Sequence, residues 1–470
     1  MPFQTSFPVS ALNAAFVIGA LLALVLVSKY QVRRKLPYPP GPRPLPLLGN
    51  LFDAPQSRFA LTWTELGNRY GPLTWLTFPG QNFLIINSFE AAKELLERRG
   101  SNYLDRPRWV MLREVMDLEY ITTFSGYTAD WRKQRAYLKQ ALSMAVVKRD
   151  YSSLLETKAR QYLDHCVAHP KEAVTSLHRT FGEIVIELTY GRLPNPHEYI
   201  QRSETMSRVV TQGMQGYVVD MLPFLKYLPS WLPGMEFKRY AARWEKEIGD
   251  TRRSAFETVK ETAMSGDPNV QPSYMMNQLK QLYDDEGKRK DVKNQAEKEA
   301  AIDHSGFTFY LGNTVESFIL AMALFPSVQE KARAELDKIV GQDRLPTFDD
   351  QQSMSYLHAV LLEILRWHPI VTMGVPHTPL NDDVYEGYFI PKGTAALVNV
   401  WGISRNTSYY TNPSGFDPER FLKPSPELDP REFTFGFGRR ICPGNDLAFQ
   451  AIWILVASIL WGFDITMPED

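Results

Sequence analysis

Cysteine is scarce in this chain, where only Cys166 and Cys442 occur in 470 residues. Two thiols cannot form the disulfide framework of a secreted scaffold, so we expect the bulk of the chain to face a reducing compartment. An excess of one charge is also lacking, because 52 Lys and Arg residues nearly cancel 53 Asp and Glu residues. This balance removes the electrostatic case for a nucleic-acid partner, and we predict none.

Low-complexity tracts and internal repeats are absent, and the composition, with 44% hydrophobic and 22% charged residues, is that of a globular protein. Residues 130–340 show mostly helical periodicity. Residues 70–87 alternate and are rich in β-branched and aromatic residues, with Pro79-Gly80 as a turn, which predicts a β-hairpin. Residues from 382 to 401 form a second predicted β region. Ser88 is expected to cap a helix after the first of these β segments. The sequence therefore predicts a mainly α-helical body with small β-sheets, in the α+β class.

One long apolar run is present, "ALNAAFVIGALLALVLV" at residues 11–27. A helix of ~20 apolar residues spans a bilayer, and the range begins near this length. Basic residues between 29 and 35 follow the run, which by the positive-inside rule places the rest of the chain on the cytoplasmic side. A cleaved signal peptide is the alternative, but the charges follow the run instead of preceding it. We therefore expect residues 1–35 to form an uncleaved, single-pass membrane anchor.

A proline-rich stretch, "LPYPPGPRPLPLLGN", separates this anchor from the body. Proline fixes the backbone angle φ and cannot continue a helix, so residues 36–50 are expected to form a stiff, extended hinge. Residues 51–470 would then form the functional domain.

Cys442 lies in "FGFGRRICPG", a glycine-rich stretch with two arginines just before a helical pattern. Free N–H groups at a helix start and nearby arginines lower the pKa of a thiol, while glycines allow close approach of a flat group. A phosphate loop is excluded because Ile441 stands where a third glycine would be needed, and zinc is excluded for want of neighbouring cysteines. A structural cysteine, an exposed thiol without a role, and a Cys/His nucleophile stay open.

The spacing of Phe435, Gly438, Arg440, Cys442 and Gly444 resembles the haem-binding signature of the cytochrome P-450 family, complete at all five places. The resemblance implies that Cys442 is the axial thiolate ligand of the iron of haem b. It also implies that Arg440 pairs with a haem propionate and that Phe435 packs beside the thiolate loop.

Two helical pairs extend the resemblance. Trp131 and Arg135 in "DWRKQR" resemble the propionate-binding helix of the family. Glu363 and Arg366 in "LLEILRWHP" are, on spacing alone, an ordinary exposed ion pair of small energetic value. The resemblance implies instead a buried structural network that Arg420 in "FDPERF" completes.

His377 in "VPHTPLNDDVY" stands where family members carry a basic residue for the second propionate, although an ordinary turn histidine is the alternative. Together with the hinge and anchor, the resemblance covers essentially the whole chain. It implies the cytochrome P-450 fold, a single helical body around a buried haem. The stretches "DDVYEGYFIPKGT" and "FGFGRRICPGNDLAFQ" look most like fungal members of secondary metabolism.

The chain departs from the family pattern in its central helix, which normally carries an acid and a threonine that relay protons. A gapless match places Phe309 and Tyr310 at those positions, and a shift by one residue places Thr308 and Phe309 there. Thr308 and Tyr310 are thus the candidate catalytic residues. Asp470 also follows Cys442 more closely than is usual, so we expect the domain to lack a C-terminal segment.

The resemblance implies a monooxygenase that inserts one oxygen atom from dioxygen into an apolar small molecule. Electrons would come from NADPH through a cytochrome P-450 reductase, with cytochrome b5 as a further donor. We expect a monomer in the endoplasmic reticulum membrane, with its catalytic domain in the cytoplasm and its substrate pocket formed by residues 101–127, 307–310 and 371–375. Two alternatives follow from the altered central helix: a haem-thiolate isomerase or dehydratase that needs no dioxygen, and a non-catalytic remnant.

Overall fold

The structure is a computed structural model that describes residues 36–55, 58–214, 216–265, 272–284, 288–290, 292–306 and 314–467. The predicted anchor at residues 1–35 and the candidates Thr308 and Tyr310 lie outside the described residues. Within them the chain is mostly helical with small sheets, and this prediction of fold class is confirmed.

In the first half of the chain, one helix precedes a β-hairpin and the others follow it. They are α1 (Phe59–Tyr70), α2 (Phe89–Lys93), α3 (Ala129–Ala141), α4 (Met144–Val146), α5 (Ser152–Ala168), α6 (Ala173–Tyr190), α7 (Pro196–Met214), α8 (Val218–Met221) and α9 (Glu236–Met264). π-Helical turns lie at Glu94–Arg98, Val110–Val115 and Val147–Tyr151, and 3₁₀ turns lie at Pro170–Glu172 and Pro223–Tyr227.

The second half holds the remaining helices, which end in a long apolar one. They are α10 (Tyr274–Leu279), α11 (Gln295–Gly306), α12 (Thr314–Leu324), α13 (Pro326–Ile339), α14 (Ser355–Trp367), α15 (Val400–Ser404), α16 (Arg431–Thr434) and α17 (Asn445–Gly462). Further 3₁₀ turns lie at Phe348–Ser353, Pro418–Phe421 and Gly438–Arg440.

The strands form two small sheets. β1 (Leu73–Phe78) and β2 (Gln81–Ile86) form the predicted hairpin, and β5 (Ala395–Val398) joins β2 in parallel. β3 (Asp383–Tyr385) and β4 (Tyr388–Ile390) form a separate antiparallel pair. The hydroxyl of Ser88 accepts the N–H of Ala91, as predicted for a helix cap. The parallel pairing joins the N-terminal hairpin to the C-terminal third of the chain.

Helix α17 runs through the main hydrophobic core. Among the described residues it is the one helix of 18 residues or more that is apolar enough to cross a membrane. Its side chains are nevertheless mostly covered by protein, and Trp453 at its centre is fully buried. Because protein and not lipid covers it, α17 is a core helix, and its first turn positions the residues that precede it.

Candidate functional site

The loop before α17 presents Cys442 at the start of that helix. The N–H of Cys442 donates to the carbonyl of Phe435 at 2.8 Å, which closes the loop upon itself. Phe435 packs its ring against the edge of the main core. The side chain of Cys442 is exposed, whereas that of Cys166, the other cysteine, is buried in the core. The loop thus offers one accessible thiol.

The pKa of the Cys442 thiol is raised above its ordinary value, because burial outweighs the lowering by the Gly444 N–H and the Arg135 charge. The sequence predicted a lowered pKa from the N–H groups at the helix start and the arginines of the loop, and the net direction is the opposite. Cys442 is accessible to solvent, and the protein around it is nevertheless dense enough for burial to dominate its pKa. The protein alone therefore keeps the thiol neutral, and a bound metal ion would have to displace its proton.

Two glycines of the signature differ in what the fold demands of them. Gly438 has φ of 54°, and a Cβ there would lie 2.3 Å from the Leu96 carbonyl oxygen. A Cβ at Gly444 would meet only the Cys442 sulfur and a Leu142 methyl, both at 4.0 Å. Gly438 is thus required by the π-helical turn packed against it, a reason that the sequence did not reveal.

We expect Gly438→Ala to lower the free energy of unfolding by about 2–4 kcal/mol, from left-handed backbone strain plus overlap with the Leu96 backbone. Gly444→Ala is the matched control and should change it by no more than about 0.5 kcal/mol. Urea unfolding of both variants measures the difference. Equal stability of the two variants would show that the Leu96 contact is not required.

Helix α3 brings Trp131 and Arg135 into the site on one face, one turn apart. The hydroxyl of Thr128 caps the helix by accepting the N–H of Trp131 at 3.1 Å. The indole of Trp131 is buried and has two guanidinium groups near its ring, with Arg440 at 3.9 Å and Arg135 at 5.8 Å from the ring centre. The two predicted propionate arginines therefore share one aromatic platform.

Arg440 is buried and only partly satisfied. Its Nε–H donates to the Leu104 carbonyl at 2.8 Å and its Nη1–H to the Ser125 carbonyl at 3.0 Å. Its Nη2 has no hydrogen-bond partner among the described residues. Burial lowers the pKa of Arg440 to about 9, and the charge of Arg135 also lowers it, against Asp105, which raises it.

A third buried arginine, Arg106, escaped the sequence interpretation. Its guanidinium donates to the carbonyls of Thr123, Val375 and Pro376 at 2.7–3.0 Å. Burial holds its pKa well below the ordinary value, and the charge of Arg440 lowers it further. No motif surrounds Arg106, and its partners are distant in sequence, so the only available signal was an arginine between Asp105 and Pro107.

His377 is buried beside these arginines. Its Nδ1 lies 3.0 Å from the Tyr103 carbonyl and must donate to it, so that Nε2 carries no proton in the neutral ring. Burial, followed by the charge of Arg106, lowers the pKa of His377 to about 3. Nε2 could donate to a carboxylate only after the ring gains a second proton. A nearby carboxylate charge would favour that protonation. Its predicted role toward a propionate stays a prediction.

The charges around Cys442 fit a group that bears carboxylates. Arg106, Arg135 and Arg440 bring three guanidinium groups together, and Asp105 is the carboxylate that acts on both Arg106 and Arg440. The buried charges of Arg106 and Arg440 and the unpaired Nη2 of Arg440 are costly without an anion. A planar group with two carboxylates and a metal ion would engage the arginines and the thiol together, and haem is such a group.

The predicted charge network is present and fully buried. Glu363 accepts from Arg366 at 2.7 Å and 2.8 Å, and its Oε2 lies 3.1 Å from the Nε of Arg420. The second contact is an ion pair without hydrogen-bond geometry, because that Nε has no hydrogen-bond partner in the described part of the chain. The side chains of Glu363, Arg366 and Arg420 are at most 1% exposed. The exposed ion pair that spacing alone suggested is thus excluded.

The predicted pocket segments lie in two described parts of the chain. Residues 101–127 surround the Val110–Val115 turn, and Arg106 links them to residues 375 and 376. Val371 in the second segment is 46% exposed. Residues 307–310 are outside the described part, so the placement of Thr308 and Tyr310 stays a prediction. The described residues contain no group of three or more His, Cys, Asp or Glu side chains able to hold a metal ion.

Comparison with known proteins defines the class. The model of the cytochrome P-450 family matches residues 39–470. The chain therefore belongs to the cytochrome P-450 family, and its helical body with small sheets is the fold of that family.

Individual relatives are fungal enzymes. The chain is similar to the cytochrome P-450 monooxygenase COX1 of Coprinopsis cinerea, with 35% identity over 97% of this chain and 90% of the relative. It is 35% identical to claR of Ampulloclitocybe clavipes over 96% of this chain and 84% of that protein. It is 34% identical to ppsD of Aspergillus oryzae over 91% and 82%. The predicted family is confirmed, and the chain is a monooxygenase of the cytochrome P-450 type, for which the family implies haem.

Proposed function

We propose that this protein is a membrane-anchored haem-thiolate monooxygenase of fungal secondary metabolism that inserts one oxygen atom into an apolar small molecule. The observation that carries the proposal is the accessible Cys442 thiol together with the buried Arg106 and Arg440 and the half-buried Arg135. The net reaction converts the substrate RH, dioxygen, NADPH and a proton into ROH, water and NADP⁺. Dioxygen is reduced, while NADPH and the substrate are oxidised.

Bound haem would supply the activation of dioxygen, for which a cysteine thiolate ligand is suited. Cys442 would provide that thiolate, and the Gly444 N–H and the Arg135 charge would stabilise it. Arg440 would donate its unpaired Nη2–H to a propionate, and Trp131 would keep that guanidinium in place. Arg106, Arg135 and His377 would orient the remaining carboxylate.

The substrate would lie on the side of the haem opposite Cys442. Val371, which is 46% exposed in a predicted pocket segment, favours an apolar substrate. Tyr310 or Thr308 would donate the proton that the acid and threonine of other family members relay. The reaction class is tested by incubating the haem-loaded protein with candidate apolar substrates, reductase and NADPH, with and without dioxygen. Product that depends on both NADPH and dioxygen supports the proposal.

A haem-thiolate isomerase or dehydratase is the second candidate function. It is favoured by "GFTFYLGNT" at residues 306–314, which lacks an acid followed by threonine at the matched positions. Product formation from an oxygenated substrate without NADPH or dioxygen would select this candidate. Haem uptake with no turnover of either kind would select the non-catalytic remnant.

Membrane attachment is supported by an exposed apolar surface. The surface comprises two segments, residues 47–52 and residues 221–231. In the first, Leu47 is 84% exposed and Phe52 is 76% exposed; in the second, Tyr227 and Trp231 are each 76% exposed. The β1–β2 hairpin touches both segments, because Asn50 donates to the Thr77 carbonyl at 2.7 Å and Gly80 lies against the carbonyl of Met221. The two segments therefore flank one hairpin, and we assign this surface and residues 1–35 to the endoplasmic reticulum membrane.

We expect removal of residues 1–35 to abolish stable anchoring but to leave weak vesicle binding. Phe52→Ser with Trp231→Ser should weaken this remaining binding by at least about tenfold, because each ring contributes about 1.5–3 kcal/mol when buried. Val167→Ser on α5 is the control, since Val167 is 71% exposed but packs on another part of the fold. Cosedimentation with phosphatidylcholine vesicles measures the binding. Equal binding by the truncated chain, its Phe52→Ser/Trp231→Ser variant and its Val167→Ser variant would contradict the assignment of this surface to the membrane.

Electrons would reach the haem from a reductase docked on the Cys442 side of a monomeric protein. Arg439 in the loop and Arg132 and Lys139 on α3 are exposed there and offer positive charge to an acidic partner. NADPH-cytochrome P-450 reductase is the proposed partner, and cytochrome b5 would use the same surface.

A further inference from the structure

The loop at residues 101–127 does not pack into the main core. Its apolar side chains join α7, α8 and α9 in a separate group that we call the loop cluster. The buried members of the loop cluster are Val110, Met111, Leu112, Met116, Leu118, Ile121, Phe124, Met206, Val209, Val219, Ala241, Trp244 and Ile248. A segment with its own cluster can separate from the body as a unit.

Asp220 at α8 holds this loop by its backbone. Its Oδ1 accepts the N–H of Met111 at 2.9 Å, and its Oδ2 accepts the N–H of Tyr217 at 2.7 Å. The Val110–Val115 turn has no cap of its own, because Trp109 before it has φ of 36° and contributes no side-chain hydrogen bond. The first N–H groups of a helical turn need acceptors. Asp220 therefore caps the turn from a distant part of the chain.

A salt-bridge cluster reinforces this contact at the surface. Glu114 in the turn accepts from Arg108 at 2.5 Å and 3.1 Å, and it also pairs with Lys226 just after α8. The hydrogen bond from Arg108, followed by that from Lys226, lowers the pKa of Glu114 to about 2. Glu114 thus stays charged at neutral pH. The hydrogen bond from Met111 to Asp220 and the ion pair of Glu114 with Lys226 therefore join the same two segments, residues 108–115 and 217–226.

We propose that Asp220 is a positioning residue, whose hydrogen bond to the Met111 N–H holds the loop at residues 101–127 in place and limits the passage of apolar ligands to the haem. The proposal rests on the proposed function, because this loop is assigned to the pocket by family resemblance. The loop is fixed to the body near both ends, by Arg106 through the Val375 and Pro376 carbonyls and by Arg440 through the Leu104 and Ser125 carbonyls. Its middle depends on α8.

Hydrogen exchange of the full chain tests the positioning itself. In Asp220→Ala we expect the amides of residues 110–116 to exchange about tenfold faster, the scale of a lost helix cap. Asp220→Asn should show a smaller increase, because its amide oxygen can still accept one N–H. Asp250→Asn on α9 is the control, since the ion pair of Asp250 among the described residues is with nearby Arg253 on the exposed face. Unchanged exchange in both Asp220 variants would overturn the proposal.

Imidazole, which binds haem iron, tests ligand passage in the haem-loaded protein. Stopped-flow absorbance should show association and dissociation rates that both rise about fivefold or more in Asp220→Asn, with little change in the dissociation constant. A purely structural role would lower the melting temperature without changing these rates, and that result would also overturn the proposal. Failure of the wild-type chain to take up haem would instead contradict the proposed function, and the exchange experiment would still decide the role of Asp220.

Discussion

Cys442→Ser is expected to remove the sulfur neighbour from the haem iron. Cys442 is the accessible thiol beside the arginine cluster, and the serine hydroxyl is a harder, far less electron-donating ligand. X-ray absorption at the iron edge of the wild-type protein should show a sulfur scatterer. The variant should lack it, and its monooxygenase turnover should fall below detection.

Cys166→Ser is the matched control for this result. Cys166 is the only other cysteine of the chain, lies on α5 and is buried in the main core. Its replacement should preserve the sulfur signal and alter only stability. Loss of the sulfur signal in Cys166→Ser, or its retention in Cys442→Ser, would contradict the assignment of the ligand.

Glu363→Gln is expected to lower the free energy of unfolding by about 3–5 kcal/mol, the cost of leaving buried charges without their partner. Glu363 is fully buried and compensates both Arg366 and Arg420. Its Oε1 also accepts the Asp417 N–H at 2.8 Å. The amide keeps the shape of the side chain but removes its charge. Denaturant unfolding of the full chain measures the change.

Glu419→Gln provides the comparison, because Glu419 makes an exposed ion pair with Lys331. Its loss should change the free energy of unfolding by less than about 1 kcal/mol. Similar values for Glu363→Gln and Glu419→Gln would show that the buried network does not brace the segment that leads to the loop of Cys442.

Local features of this fold could be predicted from the sequence. The β1–β2 hairpin follows from alternation and the Pro79-Gly80 turn, and the cap by Ser88 follows from its place before a helical pattern. The pairing of Glu363 with Arg366 follows from helical spacing, whereas the addition of Arg420 came from family resemblance. In each derived case the interacting residues are near neighbours in the chain, so that local pattern is sufficient.

Contacts between distant segments could not be predicted in this way. The parallel pairing of β2 with β5, the carbonyl contacts of Arg106 and the cap supplied by Asp220 all join residues that no local pattern connects. The reason for Gly438 was missed for the same cause, since the Leu96 backbone comes from a remote turn. The net direction of the Cys442 pKa depends on burial, which spacing does not report.

The reduced carbon-monoxide spectrum of the full-length, haem-loaded protein tests the central claim most directly. A haem held by the Cys442 thiolate should give the red-shifted absorption band that distinguishes thiolate-ligated haem. A band at the unshifted position of histidine-ligated haem, or a chain that retains no haem, would contradict the account.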